Sequence, residues 1–285
     1  MRRIPDDWEP AAFTRFAVEP ITPAIGAELT GIDLREPLDR DSQRELHRAL
    51  LEWKVLVFRD QRPSASQQVA FAENWGPLWD DQLVPTPDRN PLEMLVEFTR
   101  DGETRGMENE WHADGTFRVC PTLGTVLRAV EVPGVGGDTL FADMAAAYDN
   151  LPEVVRREIV DLVAEHDWVD SYGSKYAAQK EELRRLLPPV QHPVVRTHPE
   201  TGRRTLFVNR YFTKRVLGLP AAQSDELIEY LAGQADIPEY QCRVRWRRDT
   251  VVFWDNRAVQ HFACSDYWPA RRIMARATIT GDRPY

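Results

Sequence analysis

The chain of 285 residues predicts a mainly β protein with inserted α-helices, an antiparallel β sandwich or jelly roll. Three observations carry that reading. Short apolar runs recur towards both ends: "VLVF" at 55–58, "EMLVEF" at 93–98, "CRVRW" at 242–246, "TVVFW" at 250–254 and "RIMARATI" at 272–279. Helical spacings lie between these runs instead of alternating with them one for one. No repeat, low-complexity tract or Gly/Ser-rich linker divides the chain, so residues 1–285 are expected to form a single domain.

Each element has a local reason. In "DSQRELHRALLEW" (41–53), Leu46, Ala49, Leu50 and Trp53 fall on one helical face, with Asp41 or Ser42 as the cap. "SASQQVAFAENWG" opens with Ser64 and carries Gln67 three residues later, a capping box, and its helix is expected to close at Gly76. The Gly-rich bend "PGVGGDTLFADM" leads into a helical region at about 144–165, and "YAAQKEELRRLLPP" reads as a polar helix ending at Pro188. "HPETGRRTLFVN" predicts a hairpin turning at Thr201 and Gly202. A further helix is expected over 224–233, and a turn at Arg248 and Asp249 separates two of the late strands.

Composition narrows the function. At 42% hydrophobic and 28% charged, the chain has ample material for a core. A net charge of −9 argues against a nucleic-acid partner, which would meet a basic face, but leaves room for a small anion held by a few arginines. The cysteines Cys120, Cys242 and Cys264 are odd in number and far apart, so no disulfide framework is expected. The start "MRRIPDDW" has no apolar core of a signal peptide, and no apolar run of membrane-spanning length occurs. Together these read as a soluble cytoplasmic protein without a membrane partner.

Chemistry concentrates in "ENEWHADGTF". His112 and Asp114 differ by two positions, so on an extended segment both side chains project to one side and can hold adjacent corners of a coordination sphere. His261 in "WDNRAVQHFA", directly after an apolar strand, is the candidate third ligand. Two histidines and a carboxylate with open positions form the facial triad of non-haem Fe(II) oxygenases, although zinc uses similar donors and the ligand set leaves both metals open. The other histidines, His47, His166, His192 and His198, read as structural or exposed. On the last strand Arg272, Met274 and Arg276 share a face while Arg271 points the other way. If that face is buried beside a metal, two arginines require an anion, and a bidentate guanidinium–carboxylate pair is the natural answer; the alternative is a cationic edge strand in solvent.

"WHADGTF", "GGDTLF", "VVRTHPETGRRTLFVN", "FWDNRAVQH" and "RRIMARATITGDRP" together resemble the Fe(II)/2-oxoglutarate-dependent taurine/2,4-dichlorophenoxyacetate dioxygenase family. The likeness covers about residues 16–283, including "LTGIDLREPL". It implies a double-stranded β-helix, the cupin-like jelly roll, with Fe(II) on His112, Asp114 and His261. It implies that Arg272 and Thr139 bind the distal carboxylate of the cosubstrate 2-oxoglutarate. Arg276 would lie between cosubstrate and substrate and read an anionic group. The implied reaction consumes O2, releases succinate and CO2, and hydroxylates a substrate carbon, cleaving the bond if that carbon bears O, N or S. The presence of Asp114 favours oxygenation over halogenation. Members are commonly dimers or tetramers, so a homo-oligomer is expected. A zinc-dependent hydrolase on the same three ligands and a non-catalytic jelly-roll binding protein are the other classes. The first shows no HExxH-like base and leaves the arginine pair unexplained; the second needs no complete triad.

The likeness thins at the substrate. Phe212, Ser171 and Tyr172 match pocket-lining positions of taurine dioxygenases, but their taurine-contacting His and Tyr fall here at about Asp81 and Val84, and their Asn falls at Glu108. Each lost polar partner costs about 1–3 kcal/mol when buried. The substitutions argue against taurine, and the added acids Asp81 and Glu108 either meet a substrate with a cationic group beside the acid read by Arg276 or face solvent on a mobile lid.

Overall fold

Along the strand Arg272–Thr280, successive side chains face different cores, because a β-strand turns alternate residues to opposite sides. Ala277 and Ile279 join one apolar cluster, whereas Met274 joins another. The computed structural model describes residues 12–79, 95–104, 106, 109–172 and 177–285. Within them this strand belongs to a seven-stranded sheet ordered Ala17–Pro20, Ala27–Thr30, Val55–Phe58, Val251–Asp255, Thr122–Glu131, Arg272–Thr280 and Leu95–Arg100. All neighbours are antiparallel except Ala27–Thr30 and Val55–Phe58, which pair in parallel.

The outer face of this sheet is covered by two helices. Arg40–Trp53 turns Leu46, Ala49, Leu50 and Trp53 inward, the face expected from their spacing. Its cap is Asp39, whose carboxylate accepts from the Ser42 amide at 2.7 Å, not Asp41 or Ser42. The helix Ala65–Glu73 carries the expected reciprocal capping box between Ser64 and Gln67 but ends at the Asn74 cap, before Gly76. These helices, with Phe58, Val251, Phe253 and Ile279, form one continuous apolar cluster. Each fully buried Leu, Val or Phe there contributes roughly 1.5–3 kcal/mol.

The inner face packs on a second sheet ordered Gln241–Val244, Thr139–Asp143 and Val259–Ala263, antiparallel throughout. Val55, Val57, Leu127, Val252, Trp254 and Met274 of the large sheet meet Phe141, Val244 and Val259 of the small one. A third sheet, Thr213–Val216, Val163–His166 and Val190–Pro193, and the hairpin Val195–Thr197 with Arg204–Leu206 lie further along the chain. The hairpin turns where the sequence predicts, with Gly202 at φ +68°.

Several expected elements change. The region 144–165 is not one helix: Met144–Asp149 and Glu153–Ile159 are separated at Pro152, and Val163–His166 is a strand whose Ala164 and His166 point inward. The helix expected at 224 begins at Ala221, and the Ser224 hydroxyl instead accepts from the Val216 amide at 2.8 Å. The run at 93–98 is a strand over Leu95–Arg100, the two residues before it lying outside the described set. The polar segment after residue 176 forms a single turn, Ala177–Gln179, and the helix Lys180–Leu186. Among the described residues no helix is long and apolar enough to cross a membrane. The protein is mainly β with inserted helices.

Candidate metal centre

Main-chain hydrogen bonds bring the two histidines together. His112 N–H donates to His261 C=O at 3.1 Å and His261 N–H to His112 C=O at 2.8 Å, an antiparallel bridge that sets the two side chains on one face. Their rings lie 4.2 Å apart between centroids. His112 Nδ1 lies 2.7 Å from the Glu110 carbonyl, which can only accept, so this nitrogen carries a proton and Nε2 is the ring nitrogen turned to Asp114. Asp114 Oδ1 sits 3.9 Å from His112 Nε2 and 3.8 Å from His261 Nε2. Ligand atoms of His112, Asp114 and His261 all lie within 4.8 Å of one another, spacing that could hold a metal ion.

The carboxylate is held from behind. The Thr125 hydroxyl donates to Asp114 Oδ2 at 2.9 Å, leaving Oδ1 towards the histidines. Asn256 Oδ1 accepts from the Asp114 amide at 3.2 Å and from Trp254 Nε1 at 3.0 Å, while Asn256 Nδ2 donates to Thr125 Oγ1 at 3.1 Å. Immediately beyond Asp114 the chain turns through Gly115 at φ +72°, and a Cβ there would stand 2.8 Å from Thr122 Oγ1. Trp111 and Phe117 anchor the segment on either side. The Trp111 indole donates to Asp236 at 2.9 Å, and the Phe117 ring lies 4.9 Å from that of Phe212.

Electrostatics suit metal-binding donors. Burial, reinforced by the nearby His112, pushes the His261 imidazole down to about 3, so it is neutral and able to ligate at physiological pH. Burial alone would raise the Asp114 carboxyl. The positive charge of Arg276 and the Thr125 hydroxyl are among the groups that outweigh it and hold the group below its ordinary value, as a carboxylate. Two imidazoles and one carboxylate fit a divalent first-row metal, iron included.

The strand Arg272–Thr280 sends Arg272 and Arg276 to the inner face, in phase with Met274 as the period of two requires. Arg276 is close enough to act electrostatically on both Asp114 and His261. Arg272 is buried, its charged carbon 5.9 Å from the Trp246 ring centroid and 5.8 Å from that of Tyr267. Thr139 is also buried and accepts from Trp246 Nε1 at 2.9 Å.

An aromatic wall stands beside His112. Phe212 and Tyr211 lie 6.1 and 5.8 Å from its ring, and Tyr172 lies 5.2 Å from Tyr211. Ser171 is in the same neighbourhood, but its hydroxyl is 2.9 Å from the Asp167 carbonyl and 2.5 Å from that of Tyr211, so its proton is engaged by main chain. Glu108 and Asp81 lie outside the described residues. Thr125, Asn256, Trp246 and Tyr211 are not evident from the sequence. The first three act through other side chains, and Tyr211 adjoins the expected Phe212 without a spacing of its own.

The remaining histidines serve structure. His198 is buried with Nε2 3.0 Å from Asp255, His47 pairs with Glu200, and His166 and His192 are buried with ring centroids 5.4 Å apart.

Residues 17–278 match the family described as "Taurine catabolism dioxygenase TauD, TfdA family". The chain belongs to this family. It is 37% identical over 279 residues to an alpha-ketoglutarate-dependent 2,4-dichlorophenoxyacetate dioxygenase of Cupriavidus pinatubonensis, covering 92% of this chain and 97% of that one. It is 35% identical over 281 residues to an alpha-ketoglutarate-dependent sulfate ester dioxygenase of Pseudomonas putida, covering 94% and 90%. A solved taurine dioxygenase from Burkholderia xenovorans superposes with a TM-score of 0.83 at 31% identity, covering 95% and 93%. As a TauD/TfdA member the protein is an oxidoreductase, a dioxygenase dependent on Fe(II), 2-oxoglutarate and O2.

Proposed function

We propose that His112, Asp114 and His261 hold Fe(II), that Arg272 and Thr139 bind the distal carboxylate of 2-oxoglutarate, and that Arg276 receives an anionic group of the primary substrate. The scaffold is read as a double-stranded β-helix, a jelly roll forming one domain over residues 1–285. Its support is the pair of facing, mostly antiparallel sheets, with the donor cluster beside the shared core. The observation that carries the functional reading is the convergence of His112 Nε2, Asp114 Oδ1 and His261 Nε2.

Bound Fe(II) supplies the redox chemistry that couples O2-dependent decarboxylation of 2-oxoglutarate to oxidation of a substrate carbon. The chain's own residues do the rest. Thr125 and Asn256 hold the Asp114 carboxylate in one orientation, so its free oxygen is pre-positioned. Arg276 offers positive charge beside Asp114 and His261. Tyr211, Phe212 and Tyr172 form an apolar wall that excludes water from the substrate side.

The substrate is read as a small organic acid with an apolar or aromatic flank. Ser171, with its hydroxyl engaged by main chain, adds little polarity to that wall. The 2,4-dichlorophenoxyacetate and sulfate ester relatives act on molecules of this kind. A cytoplasmic location is supported by three free cysteines. A homo-oligomer, dimer or tetramer, rests on the family resemblance and is checked by light scattering on the eluting protein.

The test is anaerobic reconstitution with Fe(II) and 2-oxoglutarate, followed by a panel of aryloxyacetates, sulfate esters, sulfonates and amino acids. A weak visible charge-transfer band and succinate formation stimulated by a panel member are expected. Protein that retains zinc and shows no band with Fe(II), or that binds no metal, would sink the reading.

A further inference from the structure

We propose that Trp246 is a positioning residue for the cosubstrate, setting the direction in which the Thr139 hydroxyl donates and bracing the Arg272 guanidinium beside it. The inference deepens the proposed function and rests on its placing of the 2-oxoglutarate distal carboxylate against Thr139 and Arg272.

An indole nitrogen donates and never accepts. In the 2.9 Å contact between Trp246 Nε1 and Thr139 Oγ1, the threonine oxygen therefore accepts, and its own proton must point elsewhere. Both residues are buried, at 5% and 3% exposure, so water cannot freely re-orient that hydroxyl. Among the described residues, the Thr139 hydroxyl makes its hydrogen bond to Trp246. Thr139 is thus held as a one-way donor.

The same indole stands 5.9 Å from the charged carbon of Arg272, with Tyr267 at 5.8 Å, both within cation–π reach. The chain entering Thr139 is built around this arginine. Gly137 has φ +74°, its N–H donates to Asp266 Oδ1 at 2.8 Å, and a Cβ there would stand 3.1 Å from Tyr267 Cδ1 and 3.5 Å from Arg272 Cδ. One tryptophan therefore links a fixed hydroxyl donor to a braced guanidinium. A carboxylate, which accepts at two oxygens, is the ligand that matches such a pair.

The test titrates anaerobic Fe(II) enzyme with 2-oxoglutarate and follows the visible band. Trp246→Phe keeps an aromatic ring and removes the N–H. The dissociation constant for 2-oxoglutarate should rise about 3- to 10-fold, as expected for one neutral hydrogen bond. KM for 2-oxoglutarate should rise with it, while kcat at saturation falls by less. Binding of 2-oxopentanoate, which lacks the distal carboxylate, should not change. Thr139→Val should raise the constant similarly, Thr139→Ser should restore it, and Trp246→Phe should add little on top of Thr139→Val. An unchanged constant in Trp246→Phe, equal losses for both 2-oxo acids, or additive effects of the two substitutions would overturn the proposal. If Trp246→Phe does not fold, an unchanged constant in Thr139→Val overturns it as well. Failure of the wild-type enzyme to bind 2-oxoglutarate at all would instead count against the proposed function.

Discussion

On the outer face of the seven-stranded sheet, Val251, Phe253, Ala277 and Ile279 meet the helices Arg40–Trp53 and Ala65–Glu73 in an apolar core. On the inner face the same strands carry Trp254, Thr125, Leu127, Met274 and Arg276, and polar groups sit among apolar ones. Neighbouring residues of one strand therefore serve different ends. Both faces supply burial, and the inner face adds charge held in fixed directions. The lesson is that stability and chemistry are separated across the thickness of one sheet.

The largest test removes a donor. Asp114→Ala should lower kcat by more than about 100-fold, beyond what changes in supporting residues cost, and abolish the visible band with Fe(II) and 2-oxoglutarate. Its thermal midpoint should move little, and a collapse in stability would break the separation. The reverse probe is Phe253→Ala, at 0% exposure among Phe71, Trp75 and the outer core. It should cost about 3–5 kcal/mol in denaturant unfolding, while the folded fraction keeps wild-type turnover. Loss of turnover in step with stability would show the faces to be coupled.

A smaller effect sharpens the inner side. Thr125→Val removes the donor to Asp114 Oδ2 and should weaken Fe(II) binding by about 10–100-fold, measured by competition with a chelator. Smallest is Ser64→Ala, which breaks the capping box of the outer helix. It should cost about 1 kcal/mol of stability and leave Fe(II) affinity unchanged.

The parts visible in the sequence were those with a short period. His112 and Asp114 two apart, and Arg272, Met274 and Arg276 in phase, follow from strand alternation, and the inner face of Arg40–Trp53 follows from helical spacing. The long strand Thr122–Glu131 was hidden because it is buried on both faces and shows no alternation, and Gly124 and Arg128 interrupt its apolar run. Val163–His166 reads as helix in the sequence because its neighbours are helical in composition. Thr125, Asn256 and Trp246 could not be read, since their roles arise from strands meeting across the fold.

The main-chain bridge between His112 and His261 has a wider consequence. Because backbone atoms draw the two imidazoles together, their spacing does not depend on which side chains surround them. The wall of Tyr211, Phe212 and Tyr172 comes from other stretches of chain. The bridge and the wall can therefore change separately, since a substitution in one stretch leaves the backbone of the other in place.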